Sequence, residues 1–537
     1  MAHPFIKEIR GIKDPIKEGI MNGWKVNNAA SLANDTIIET DIAIIGTGAG
    51  GGTAAEILTE AGNKVLLIEE GPLKTTDSFR MDEREAYNDL YQESAGRMSK
   101  DGAISILQGR CVGGSTVINW TSSFRTPEQT LDFWSENYDL NGCSPEEMAP
   151  WFEQMEKRLN VSPWIVPPNE NNSVLSRGSE KLGISWKVIP RNVAGCWNLG
   201  YCGTGCPTNA KQSMLVTTIP SALNQGAELL FSARADRLIM DGSKVAGIEI
   251  VALDDSYQPT GNKVIVKAKQ IVMACGGING PALLMRSNAP DPQDLIGKRT
   301  FLHPVPFAFA EFDKDVDPYY GAPQSIYSDH FQWETVDGKM GYKLEVPPLH
   351  PGLTSVLLTG HGSKMVEDIS KLPNMSSMIG LLRDGFNEES QGATISLADD
   401  GSPIIDYDLN EYVWDGVKRC QLSMAEIQFA AGAKRVRPAH AESDWYTSWP
   451  EAKAAIEKMD FRSSTTLVGC AHVMGGLPIG EDKDKCLVNS EGKYHYLDNL
   501  YVMDGSLFPT SIGANPQLSI YGMACRLATG LANKLKG

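Results

Sequence analysis

The chain has 537 residues, of which 42% are hydrophobic and 21% charged, with a formal net charge of −17. That length supports more than one layered core, and the composition is ordinary for a globular protein. The acidic balance argues against a nucleic-acid partner and against docking on anionic lipid.

Residues 1–38 read as a polar N-terminal extension without the layout of a signal peptide. The expected location is therefore the cytoplasm, or the periplasm by co-export with a signal-bearing partner. No uninterrupted apolar stretch reaches transmembrane length, because Gly and polar residues break each candidate.

The next segment carries the strongest local signal. Thr40-Asp41-Ile42-Ala43-Ile44-Ile45 reads as an apolar strand that runs into Gly46-Thr47-Gly48-Ala49-Gly50-Gly51. A helix-forming stretch follows, then a second strand, Lys64 to Ile68, ending at Glu69. This order of strand, glycine turn, helix, strand and acid is that of a dinucleotide-binding βαβ unit. Gly46 permits the tight turn, Gly48 the approach of a pyrophosphate, and Gly51 close helix–strand packing. Glu69 is placed to accept hydrogen bonds from ribose hydroxyls, and the helix N-terminus favours phosphate.

Further along, a second glycine motif lies at Gly109–Asn119, and residues 127–195 mix Trp, Pro and acidic helical pieces. Strand-like segments appear at Glu228–Ser232, Arg237–Met240, Val245–Val251 and Gln270–Ala274. Residues 300–455 are rich in Pro, aromatics and Met, with a turn-separated strand pattern at Gly392–Leu397. A long closing helix is expected after Pro516.

Several of these motifs together resemble the glucose–methanol–choline oxidoreductases, FAD enzymes that oxidise alcohols. Leu67-Ile68-Glu69-Glu70-Gly71 is similar to the family's ribose-binding strand end. Gly109-Arg110-Cys111-Val112-Gly113-Gly114-Ser115-Thr116-Val117-Ile118-Asn119 is similar to the segment beneath the flavin. Ile271 to Pro281 and Val502-Met503-Asp504-Gly505-Ser506 to Ser511 match two further motifs, and Leu302-His303-Pro304 echoes another, with Leu where an acid is usual. The resemblance covers roughly residues 36–535. It implies an α/β fold: a doubly wound, Rossmann-like FAD-binding domain with an interleaved, largely antiparallel substrate domain. The implied segments are 39–126 (FAD domain, first part), 127–195 (cap), 196–299 (a cysteine loop and the second part), 300–460 (substrate domain) and 461–537 (catalytic motif and third part).

The same resemblance implies FAD contacts from Gly46, Gly48, Gly51, Glu69, Arg110, Gly113, Gly114, Ser115, Asn119, Asp504 and Gly505. Family members that bind FAD covalently do so through a histidine at the place of Ile118, so the FAD here is expected to be non-covalent. Removing hydride from a carbinol carbon is hard unless the hydroxyl proton also leaves, and a neutral imidazole suits that task. Of eight histidines, His472 stands in the family's catalytic motif, Ala471-His472-Val473-Met474-Gly475-Gly476. Asn515, before Pro516, matches the second active-site position. The expected roles are His472 as general base and Asn515 as donor to the developing alkoxide; a helix N-cap is the alternative for Asn515. His303 reads as a structural turn residue.

Ten cysteines without an export signal suggest reduced thiols. Three of them, Cys196, Cys202 and Cys206, fall among glycines within eleven residues. This spacing is similar to that in the catalytic subunit of bacterial electron-transferring glucose dehydrogenases, which implies a 3Fe–4S cluster. A disulfide with one thiol, bare thiols and a zinc site stay open. A cluster would favour a quinone, a cytochrome or a small electron-transfer subunit as acceptor. Oxygen, as in an alcohol or sugar oxidase, is the alternative, and a flavin-containing lyase on the same fold is another. Phe301, Phe307, Phe309, Tyr319, Tyr320, Trp333, Met375 and Met378 suggest an apolar cavity and a hydrophobic primary alcohol, with sugars and sterols as runners-up.

Overall fold

The strand Thr36–Ile45 alternates in burial over its first half and is almost continuously buried over its second. That change is expected where a strand leaves a sheet's rim for a centre covered on both faces. In the computed structural model, which describes residues 11–333, 338–358 and 360–536, this strand is central in an eight-stranded sheet. The order is Lys25–Asn28, Glu228–Phe231, Val65–Ile68, Thr36–Ile45, Pro259–Met273, Lys244–Leu253, Ala233–Asp241, with Leu500–Val502 also on Pro259–Met273.

The first five strands run parallel, and the last three form an antiparallel meander. Pro259–Met273 belongs to both arrangements. Its first half pairs with Lys244–Leu253, and its last residues, Ile271–Met273, pair with Leu500–Val502. Its stretch before Gln270, with Gly261 and the lysines Lys263, Lys267 and Lys269, hides the strand from a sequence reading that begins it at Gln270. Lys25–Asn28, within residues 1–38, is a strand of this sheet. It pairs in parallel with Glu228–Phe231 and forms the edge of the sheet.

The helix Ala49–Glu60 lies against this sheet, and the closing helix Gln517–Lys536 packs on it. Segment 127–195 divides between the two halves of the molecule. Trp134 of helix Glu128–Tyr138 stacks on Phe508 and donates to Thr510 Oγ1 at 2.8 Å. Phe152 of helix Pro145–Arg158 lies against Gly522. Helix Glu170–Leu182 instead sits on Ile427, where a Cβ at Gly178 would fall 2.1 Å from a carbonyl oxygen.

The second large sheet is mostly antiparallel and runs Ile104–Ile106, Val468–Cys470, Val305–Glu311, Met375–Leu382, Tyr342–Glu345, Ile326–Ser328, Lys187–Val188. The 20-residue helix Glu411–Ala430 covers one face, burying Val413, Val417, Met424 and Ile427 against Tyr342, Leu344, Met378 and Leu382. Tyr342 and Leu344 therefore face that core, and the period-two pleat turns Lys343 and Glu345 to the opposite face. Among the described residues, no helix is long and apolar enough to cross a membrane.

Candidate active site

The carboxyl ends of the parallel strands open on a continuous cavity of about 1040 Å³. It reaches from Gly46–Gly50 and Glu69 at one end to His472 and Asn515 at the other, the place where open α/β sheets hold ligands.

The glycine turn is built by close approach. Gly46 has φ +100°, and a Cβ there would lie 2.2 Å from the Ala274 carbonyl oxygen. Gly51 would strike the Gly46 carbonyl at 1.9 Å, and Gly50, which the sequence reading did not single out, the Met503 carbonyl at 1.7 Å. Gly48 differs: the nearest atom to its missing Cβ is Gly114 Cα at 3.9 Å. No protein atom needs that space, so the opening at Gly48 is left for a ligand in front of the N-terminus of helix Ala49–Glu60.

Glu69 lines the cavity but is already engaged by the protein. Oε2 accepts from Thr47 N at 3.0 Å and Thr47 Oγ1 at 2.6 Å, and Oε1 accepts from Gly71 N at 3.0 Å. Burial pushes its pKa up, against those hydrogen bonds. Glu70, the neighbouring carboxylate, also lines the cavity and pairs with Arg110 at 2.8 Å; the sequence reading missed it. Arg110 in turn lies 4.0 Å from the ring centre of Tyr257, and its Nε is buried without a partner.

In the second motif, Gly113 has φ +95° and donates its N–H to Thr47 Oγ1 at 2.9 Å, which ties the motif to the first turn. Gly114 faces Gly48 so closely that a Cβ would come within 2.8 Å of its Cα. Ser115 Oγ accepts from Gly109 N, and Asn119 Nδ2 donates to Gln517 Oε1 at 2.7 Å. Asp504 reaches across from the end of Leu500–Val502, accepting from Gly276 N at 2.7 Å and Ser506 N at 2.8 Å. Burial raises its pKa. Gly505 follows it along the cavity wall.

At the far end His472 faces the cavity. Its Nδ1 lies 3.2 Å from Nδ1 of His303, whose Nε2 accepts the Gly513 N–H at 3.2 Å. His303 is fully buried with φ +46°, so the turn residue expected from sequence is also His472's ring partner. Burial, then the charge of Lys343, holds the His472 imidazole down to about 3. Burial, then His472 and Lys343, pushes His303 well below the ordinary histidine range. Both rings are neutral at physiological pH.

Asn515 lines the same cavity. Its Oδ1 accepts from Lys343 Nζ at 3.1 Å, and its Nδ2 donates to Glu345 Oε2 at 3.1 Å. Lys343 and Glu345 pair with each other at 3.0 Å and are sealed from solvent. Both ends of the amide are thus engaged by this pair. Sequence reading had no means to find the pair, because a Lys-x-Glu pattern usually marks the wet face of a strand.

Beyond His472 and Asn515 the walls become apolar: Val305, Phe307, Ile379, Leu381, Leu353, Leu357 and Leu467. Of the eight residues expected to line this space, Phe307 reaches it. Phe301, Phe309, Met375 and Met378 are core, Tyr320 is exposed, and Tyr319 and Trp333 lie away from the cavity wall.

All ten cysteines are free thiols, so no disulfide forms in the loop. Among the described residues no three His, Cys, Asp or Glu side chains are grouped to hold a metal ion, so the structure lends no support to a 3Fe–4S cluster or a zinc at Cys196, Cys202 and Cys206. The three sulfurs accept N–H groups from Asn198 N, Arg191 Nη2 and Lys211 N respectively, and Cys206 Sγ also meets Thr208 Oγ1. Lys211, buried, donates from Nζ to the carbonyls of Val117, Asn119 and Cys202. It fastens the loop onto the Gly109–Asn119 segment.

The glycine cradle, the free space at Gly48 and the unpartnered Nε of Arg110 fit a dinucleotide whose far end reaches His472. Comparison with known proteins agrees. Residues 87–305 match the N-terminal and residues 389–524 the C-terminal model of the GMC oxidoreductases. The chain is 29% identical to an uncharacterised GMC-type oxidoreductase, y4nJ, of Sinorhizobium fredii, over 93% of this chain and 95% of that one. It is 28% identical to the long-chain-alcohol oxidase FAO4A of Arabidopsis thaliana, over 96% and 72% of the two chains. Its fold is similar to that of pyridoxine 4-oxidase from Mesorbium loti, with a TM-score of 0.67 at 17% identity over 91% and 98%. With its two family matches spanning more than half its length, the chain belongs to the FAD-dependent GMC oxidoreductase family.

Proposed function

We propose that this protein oxidises a hydrophobic primary alcohol to the aldehyde. The observation that carries this reading is the single cavity in which His472 and Asn515 stand between the glycine cradle and the apolar walls. Non-covalently bound FAD, cradled by Gly46, Gly48, Gly51, Gly113, Gly114, Ser115, Asp504 and Gly505, with Glu69, Arg110 and Asn119 around it, supplies the hydride acceptor.

The chain's own residues handle the proton and the oxygen. His472, neutral at working pH, takes the hydroxyl proton at Nε2. That role requires the hydrogen between the two Nδ1 atoms to sit on His472, so that the Nε2 lone pair is open, and His303 then yields its contact with Gly513 N–H. Asn515 donates from Nδ2 to the oxygen as negative charge develops there. The apolar walls exclude water and hold an alkyl chain. At about 25 cal/mol per Å² of buried apolar surface, each added CH₂ contributes on the order of 0.8 kcal/mol to binding.

No grouped ligand set among the described residues supports the cluster that would favour a quinone, cytochrome or subunit acceptor. Oxygen is the acceptor we favour, in line with the long-chain-alcohol oxidases among the relatives. The reaction then balances as alcohol plus O₂ giving aldehyde plus H₂O₂. The test is the purified holoenzyme in air with 1-dodecanol: one peroxide per aldehyde supports the reading. Aldehyde formed only with an added quinone would return the acceptor to the dehydrogenase class.

A further inference from the structure

Lys343 and Glu345 form a charged pair enclosed behind the cavity wall, and they make contact with Asn515 at both ends of its amide. Lysine can only donate and an ionised glutamate can only accept. The pair therefore fixes which end of the amide is oxygen and which is nitrogen. Oδ1 must face Lys343 and Nδ2 must face Glu345, so a flipped amide would set carbonyl against carboxylate and N–H₂ against ammonium. One of the two Nδ2 hydrogens goes to Glu345, and the second remains. The Lys343 ammonium is itself held from the other side, 3.1 Å from the ring centre of Phe124 and 4.5 Å from that of Tyr327.

We propose that Lys343 and Glu345 are positioning residues, which lock the Asn515 amide so that its free N–H is presented to the substrate oxygen. This rests on the alcohol-oxidation reading above. A free asparagine would rotate and would offer its carbonyl to the alkoxide as readily as its N–H. A preorganised donor acts without reorganising as charge develops. The pair also explains why two charges are kept in a place where apolar residues would serve stability as well or better.

The charged and titratable groups around this assembly are His303 and His472 on the cavity side, Asp329 and Lys187 near Lys343, and Arg383 near His303. Burial and then Lys343 lower the pKa of His472, so neutralising the pair raises that pKa, and the rise should also appear in Lys343→Gln/Glu345→Gln, where the packing is kept.

The experiment uses flavin-loaded enzyme, 1-dodecanol as probe and anaerobic bleaching of the flavin as the rate. It compares wild type, Asn515→Ala, Lys343→Met/Glu345→Met and the triple variant. Asn515→Ala and the Met pair are each expected to lower the maximal rate by roughly 100-fold, with half-saturation little changed. The triple variant should be no slower than either, because all three remove one device. Lys343→Gln/Glu345→Gln keeps a neutral donor for Oδ1 and a neutral acceptor for Nδ2, and should recover to within about tenfold of wild type. In protein labelled at histidine Cε1, the His472 titration should move up in the Met pair.

A loaded Met pair with the wild-type rate, or losses that multiply in the triple variant, would overturn the proposal. If the Met pair does not load flavin, the Gln pair decides: near-wild-type rates support positioning, and a loss equal to that of Asn515→Ala contradicts it. Wild-type enzyme that no alcohol bleaches would instead refute the alcohol reading, an outcome separate from these.

Discussion

The Nδ1 atoms of His303 and His472 lie 3.2 Å apart, and the Gly513 N–H occupies the other nitrogen of His303. With Nε2 accepting, neutral His303 carries its hydrogen on Nδ1 and donates it to His472. The resting His472 then carries its own hydrogen on Nε2. A base must present a lone pair there, so proton abstraction draws on the whole His303–His472–Gly513 chain.

His472→Ala should therefore reduce the rate of flavin bleaching by alcohol by about 10²–10⁴-fold. His303→Ala should cost less, roughly 10- to 100-fold, through lost orientation of His472. It should also lower stability by about 1–3 kcal/mol, because the buried Gly513 N–H loses its acceptor. Stopped-flow bleaching and denaturant titration separate the two effects.

The same histidines set an acid limit on stability. Both are held neutral in the fold, His472 down to about 3 and His303 well below its ordinary value, whereas in the unfolded chain they take up protons near 6.5. Folded pKa values below the unfolded ones mean that the unfolded state binds more protons as pH falls below about 6.5. Stability is then lost progressively from that pH downward, by up to about 1.4 kcal/mol per pH unit for each histidine. Thermal unfolding scanned from pH 7 to pH 4 should show this slope, and His472→Asn should flatten it.

The glycines of the first turn should separate into two kinds. Gly50→Ala drives a Cβ into the Met503 carbonyl and should prevent correct folding. Gly48→Ala meets only Gly114 Cα at 3.9 Å and has an ordinary φ of −69°. It should fold normally, with its cost confined to flavin content. Unfolding temperature of the flavin-free protein and the flavin-to-protein absorbance ratio, measured together, check this.

Removing one member of the Lys343–Glu345 pair leaves a buried charge alone. Lys343→Met should lower stability by about 3–5 kcal/mol, and the double Met variant should recover much of that loss. Chemical denaturation of the single and double variants tests it.

What could be read from the chain follows from how local each signal is. The strand, turn, helix and acid of residues 40–69 lie together in sequence and impose their geometry through backbone approach, so glycines alone nearly write it. His472 and Asn515 stand out by motif. Lys343 and Glu345 do not, because they are enclosed by residues far away in the chain, Phe124 before them and Asn515 after. The aromatic residues mislead for a related reason. Composition says that residues 300–455 contain large apolar side chains, but not how far the cavity extends along each strand. Phe307 reaches the cavity wall, while Phe309, on the same face two residues on, is buried in a core cluster with Leu349 and Met375. The cysteine triplet shows a contact that spacing does not reveal: the loop is fastened by Lys211 to three backbone carbonyls, those of Val117, Asn119 and Cys202.

The most direct test is an anaerobic visible spectrum of the purified wild-type and His472→Ala proteins, before and after 1-dodecanol. Flavin bands in both, bleached within seconds in the wild type and persisting in the variant, are the predicted result. Absence of flavin bands, or equal bleaching in the two proteins, would contradict the account.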